Sequence, residues 1–143
     1  MPDPITGGCL CGKIRYSVSQ PLKNLIVCHC THCQKASGTG ASQNAIVPTS
    51  AVTFTSGQPK MFADTAASGR ILNRYFCGDC GSPLYSQRAT MPEMMVLRVG
   101  SLDAPPADMK IMMNIWTNSA RPWSVIDPAT ECHPENRPPP VKS

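Results

Sequence analysis

Hydrophobic positions in this chain recur with a period of two over short runs, the mark of half-buried strands and not of amphipathic helices. Lys13–Ser19 alternates Ile14, Tyr16 and Val18 with polar partners. Asn44–Val47 and Val52–Thr55 are two more short runs, with Pro48 between them. Met61–Ala66 and Arg70–Phe76 flank Ala67-Ser68-Gly69, a hairpin signal. Met94–Val99 and Lys110–Trp116 complete the set, joined through a proline-rich loop at Pro105-Pro106. Only Thr31–Ser37 hints at a helical turn, and everything after Trp123 reads as irregular. The pattern predicts a mainly β, antiparallel fold with short helical turns. One domain is expected over residues 1–131, followed by a proline-rich, disordered tail over 132–143.

Length and composition narrow this picture. A chain of 143 residues is one domain and can bury about two thirds of its unfolded surface. Its core must nevertheless be unusual, because Phe, Trp and Tyr supply only 6% of the residues. Flexible methionines (Met94, Met95, Met112, Met113) on the expected strands are natural core fillers. No run approaches the 18 apolar residues of a membrane-spanning helix, so no membrane partner is expected. The start, MPDPITGG, lacks the basic and apolar regions of a secretory signal. A cytoplasmic location follows as the expectation, and with it reduced cysteines. The formal charge of +4 comes from scattered residues, including Arg15, Lys23, Lys35, Lys60, Arg70, Arg74, Arg88 and Arg98. A nucleic-acid binder would show a basic stripe, so no nucleic-acid partner is expected.

Eight cysteines demand a chemical explanation. Cys77 and Cys80 form C-x-x-C in FCGDCG, a tight turn in which Gly78 and Gly81 can take positive φ. Such a turn aims two sulfurs at one spot, and a tetrahedral zinc needs two more. Cys9 and Cys11 form C-x-C; on a strand they would share a face and present the matching pair. These four are read as one closed, structural zinc site. Cys28, Cys30 and Cys33, in CHCTHC, can bind a second metal from a single loop. Three protein ligands with an open fourth position are the mark of a catalytic zinc. With three thiolates that zinc suits a soft ligand such as a substrate thiol, held as thiolate for attack on an electrophilic carbonyl.

The segments GGCLCGKIRY, CHCTHCQKASG, FCGDCGSPLY and VGSLD, with an R-P-W near the C-terminus, resemble the glutathione-dependent formaldehyde-activating enzymes. The matches run from Gly7 to about Asp127. The resemblance implies a β-tent fold pinned by zinc, with a structural zinc on Cys9, Cys11, Cys77 and Cys80 and a catalytic zinc on Cys28, Cys30 and Cys33. It implies the joining of glutathione and formaldehyde to S-hydroxymethylglutathione, formally a carbon–sulfur lyase run backwards. The chain departs from the pattern at Asn114, in MMNIW, where relatives often carry a histidine.

The sequence therefore predicts a zinc-dependent carbon–sulfur lyase-type enzyme acting on a thiol adduct of a small aldehyde, possession of two zinc ions, and a glutathione-like partner. His29 and His32 are its candidate acid–base groups, although outward-facing or hydrogen-bonding roles fit them as well. Lys35, Arg70 and Arg74 are candidates for substrate carboxylates, and Trp123 is expected in the core with pocket lining as the alternative. Two competing readings are a non-catalytic binding module with two structural zincs, and a zinc-ribbon nucleic-acid binder. In the first, Cys132 or His133 closes the second site. Seven thiolates against two Zn²⁺ remove three positive charges, bringing the formal +4 to about +1 and weakening the second.

Overall fold

The computed structural model describes residues 4–137. Eleven strands and one helix follow in chain order: β1 Ile5–Gly8, β2 Arg15–Val18, β3 Asn24–Cys28, α1 Thr31–Ser37, β4 Ser42–Pro48, β5 Val52–Ser56, β6 Lys60–Thr65, β7 Ile71–Phe76, β8 Pro83–Arg88, β9 Met94–Arg98, β10 Lys110–Ile115 and β11 Glu131–Cys132. They build a three-stranded sheet, β1-β2-β5, and an eight-stranded sheet, β11-β10-β3-β4-β9-β8-β7-β6. The expected mainly β, antiparallel architecture holds, except that β10 runs parallel to both β3 and β11.

Alternation explains how the sheets meet. Tyr16 and Val18 point inward from β2, and Val47, Met95, Leu97 and Tyr85 point inward from the large sheet, each 8% exposed or less. Tyr75 and Tyr85 stack with ring centroids 4.3 Å apart, and Phe54 of the small sheet meets Tyr85 at 5.7 Å. Four of the eight aromatics, Tyr16, Phe54, Tyr75 and Tyr85, thus meet where the sheets touch. The methionines split as adjacent strand residues must: Met95 and Met113 are buried, and Met112 is exposed.

The hairpin between β6 and β7 forms as expected, with Ala66 and Arg70 hydrogen-bonded across its neck at 2.8 Å. Helix α1 begins where the Cys30 sulfur accepts the Cys33 N–H, and ends at Gly38 in the left-handed conformation. Beyond Trp123 the chain is less irregular than its composition suggests. Strand β11 pairs Cys132 with Asn114, and Trp116, at φ 57°, donates its backbone N–H to Glu135. Residues 132–136 of the expected tail are therefore placed against β10 and the residues that follow it, and 138–143 lie outside the described residues.

Candidate metal centres

The first centre joins the two sheets. Cys9 and Cys11 follow β1 of the small sheet, and Cys77 and Cys80 follow β7 of the large one. Their four sulfurs lie within 4.8 Å of one another, with Cys9–Cys11 at 3.5 Å and Cys11–Cys77 at 3.8 Å. Tetrahedral zinc–sulfur bonds of about 2.3 Å put the sulfurs about 3.8 Å apart, so the donor set fits zinc.

The C-x-C does not sit on a strand, as expected, but in a turn built like the C-x-x-C turn. In each, the glycine after the second cysteine is left-handed (Gly12 and Gly81, both φ +81°) and donates to the first cysteine's carbonyl, at 3.1 and 2.8 Å. A side chain would strain both positions. Gly78, expected at positive φ, is not there; it leaves room for the Lys60 side chain instead. Backbone N–H groups of Ile14 and Asp79 point at the Cys9 and Cys77 sulfurs, at 3.3 and 3.4 Å. The Ser82 hydroxyl and backbone hold Cys80 down at about 5, which readies it as a thiolate. Asp79 meets only Lys13, with both side chains solvated.

The second centre gathers Cys28 at the end of β3, Cys30 at the cap of α1 and Cys33 in its first turn, again with sulfurs within 4.8 Å. Three thiolate donors suit zinc and leave one tetrahedral position without a protein ligand among the described residues. Cys132 and His133 do not close it. Cys132 is exposed and hydrogen-bonded to Thr130, and His133 pairs with Glu131 at 2.8 Å.

Side-chain charge surrounds this second cluster. Hydrogen bonds from Cys28 and then Cys30 hold Cys33 far toward the thiolate, with Ser42 and the Arg98 charge adding to them. The same bonds to Cys30 and Cys33 push the Cys28 thiol up. Arg98, 8% exposed, is fixed by donation to Asn44, whose amide in turn donates to Ile26 and Ser42. Arg74 lies 3.9 Å from the Cys33 sulfur through Nη1, while its Nε donates to Asp64 at 2.9 Å. Burial pushes the Asp64 carboxyl up, yet hydrogen bonds from His32 and Arg74 outweigh it and hold Asp64 below its ordinary value.

The two histidines receive different surroundings. His32 is half-exposed, and its Nδ1 donates to Asp64 at 2.9 Å, which leaves Nε2 as the lone-pair nitrogen. His29 is not outward-facing; it is 3% exposed, with Nε2 2.9 Å from Asn114 Oδ1. Asn114 donates its amide to Thr130, whose hydroxyl donates on to Asp127. Asn114 Oδ1 is therefore the acceptor, His29 carries its hydrogen on Nε2, and Nδ1 is a buried lone pair with no partner.

Of the three basic candidates, Arg74 joins the cluster, Arg70 is exposed in the β6–β7 hairpin, and Lys35 lines a groove on another side of α1. Trp123 is not core: it is 73% exposed beside the same groove. Sequence reasoning missed Asp64 and Asn44 and assigned no role to Arg98. The only signal was Arg98 itself, a charge at the end of the apolar run MMVLR.

Comparison with known proteins agrees with this arrangement. A family profile described as glutathione-dependent formaldehyde-activating enzyme matches residues 4–119. A crystal structure of a Rhodobacter sphaeroides protein, 22% identical, superposes with a TM-score of 0.56 over 71% of this chain and 91% of its own, which shows the shared fold. No curated protein matches the chain.

Proposed function

Since the chain belongs to the glutathione-dependent formaldehyde-activating enzyme family, we propose that it joins a thiol to a small aldehyde, or reverses that step, at Cys28, Cys30 and Cys33. The observation carrying this reading is the contrast between four sulfurs at the first centre and three, flanked by two arginines, at the second. When bound at the second centre, zinc supplies Lewis acidity and an open position for sulfur.

The remaining work falls to the chain. Arg74 and Arg98 offset the excess negative charge of the thiolates and favour an incoming sulfur as thiolate. His32, oriented by Asp64, accepts the thiol proton at Nε2 and returns it to the oxygen of the adduct. One carbon–sulfur bond forms, the carbonyl π bond opens, and the proton lost by sulfur ends on oxygen, so no oxidant or reductant is needed. His29, bonded to Asn114, fixes the backbone between two ligands and has a positioning role. Glutathione and formaldehyde are the substrates the family name suggests. The need to keep seven thiols reduced supports a reducing compartment such as the cytoplasm. No helix is long and apolar enough to cross a membrane among the described residues.

The test is NMR exchange between free formaldehyde and its glutathione adduct. Catalytic amounts of zinc-loaded protein should broaden both signals, and Cys33→Ser and His32→Gln should each abolish the broadening. Unchanged line widths with the wild-type protein would refute the proposal and favour a binding module.

A further inference from the structure

The two edges of the large sheet are finished differently. At one edge β11 is a two-residue strand with Pro134 soon after it, a short edge that offers little to pair with. At the other, β6 is six residues long, and no strand among the described residues pairs with its outer side. It holds no proline, and its register with β7 runs from Lys60↔Phe76 to Thr65↔Ile71 without a bulge, so nothing turns this edge away from a partner. Met61 and Phe62 are 51% and 59% exposed on opposite faces, so each face shows water a large apolar side chain.

The hairpin neck fixes which backbone groups face outward. Ala66 donates to the Arg70 carbonyl, so these two form a hydrogen-bonded pair of the ladder. Such pairs alternate with open ones between antiparallel strands. Lys60, Phe62 and Asp64 therefore bond to β7, and Met61, Ala63 and Thr65 turn their N–H and C=O groups to the free edge. The Ile71 carbonyl agrees with this alternation: opposite Thr65, it accepts from Ala89 on the other side of β7.

Charge along the strand selects a second copy of the chain as the occupant. Lys60 and Asp64 share a face, one on each side of Phe62, so the strand complements its own reverse about Phe62. We propose that the protein is a homodimer in which two β6 edges pair antiparallel about Phe62, joining the two large sheets into one. Phe62 then meets its own copy at an open pair, Lys60 faces the partner subunit's Asp64, and Met61 and Ala63 exchange about four backbone hydrogen bonds with the second strand. An axis at Ala63 would set Phe62 against a carboxylate, and one at Asp64 would oppose two carboxylates. Lys60 forms no ion pair among the described residues and rests over Gly78, so turning to the edge breaks no salt bridge. Asp64 already holds His32 and Arg74, and the roughly four acceptor sites of a carboxylate leave room for the lysine. Phe62 stands opposite Arg74, which reaches the Cys33 sulfur, so the interface borders the second centre and brings a cation of the partner beside it.

The experiment is sedimentation velocity of the zinc-loaded protein over micromolar concentrations, where the dimer should predominate. Ala63→Pro deletes an outward N–H that bonds to nothing within the chain, so it should give a monomer with the wild-type circular-dichroism spectrum. Lys60→Glu sets like charges opposite each other twice per dimer and should weaken association by about tenfold or more. Lys35→Glu, the same change of charge away from β6, should leave it unaltered. Cross-linking in a Cys132→Ser background reads the register. Oxidised Phe62→Cys should form a disulfide-linked dimer, because side chains at an open pair approach within disulfide range, and Ala63→Cys should not. A monomer at every concentration, a dimer indifferent to both Ala63→Pro and Lys60→Glu, or cross-linking at position 63 in preference to 62 would overturn the proposal.

Discussion

The two cysteine centres use the same ligand atom and differ in everything that supports it. At the first, four sulfurs project from paired turns, and their charge is met by backbone N–H groups and one serine. Solvated Lys13 and Asp79 are the nearest ion pair, and the centre ties strands of two sheets together. At the second, three sulfurs come from one strand end and one helix start, and the charge is met by Arg74 and Arg98, each fixed by a further side chain. The proposed function accounts for this difference: a centre that only holds the fold would complete its own coordination, and one that accepts and releases a fourth ligand would leave a position unfilled and surround itself with cations.

The largest expected effect separates the centres by stability. A cross-link between Cys11 and Cys77 closes a loop of 66 residues, worth about 4 kcal/mol on chain-entropy grounds. Cys77→Ser should therefore lower the melting temperature by roughly 10 °C or more, whereas Cys33→Ser should shift it by a few degrees. Thermal melts followed by circular dichroism read both, and equal shifts would erase the distinction.

Chelation sharpens the same contrast. A mild chelator should strip one zinc per chain from the folded protein, and the second should leave only on unfolding, as three ligands hold metal less tightly than four. Zinc release measured with a colorimetric indicator, in wild type and in Cys33→Ser, shows whether the labile ion is the one at the second centre.

A smaller effect concerns the outer residues. Asp64→Asn frees Arg74 from its partner and should weaken zinc at the second centre by about tenfold without altering the first. Competition titration against a fluorescent zinc chelator measures both constants.

Smallest of all is a pH effect at the Arg15–Asp103 ion pair. Hydrogen bonds from Arg15 and Thr6 hold the Asp103 carboxyl down at about 2. A depressed carboxylate stabilises the fold above its ordinary value near ~3.9 and loses that contribution as pH falls toward 2. Carboxyl-carbon NMR should find Asp103 titrating below the other aspartates, and Asp103→Asn should flatten the acid limb of the stability profile.

The sequence was informative where chemistry is local. The β6–β7 hairpin, the α1 turn, the alternating strand β2 and both cysteine groups were legible because their signals lie within a few residues. Strand β3 was not, because NLIVC is apolar without alternation and sits between two neighbours. Nor was β8, which opens on a proline. The parallel pairing of β3 with β10 joins residues more than eighty positions apart, and no local pattern encodes it. Asp64 escaped for the same reason: its partners His32 and Arg74 meet it only through the folded sheet. Trp123 misled because a large apolar residue suggests core, whereas a proline-bearing turn displays it at the surface.

The openness of the second centre is tested most directly by replacing its zinc alone with cobalt(II), keeping zinc at the first, and adding a thiol. Sulfur-to-cobalt charge-transfer absorbance grows with the number of bound thiolates, so a fourth sulfur should raise it by about a third over the three-ligand state. Absorbance that stays constant at saturating thiol would contradict an open site and leave both centres purely structural.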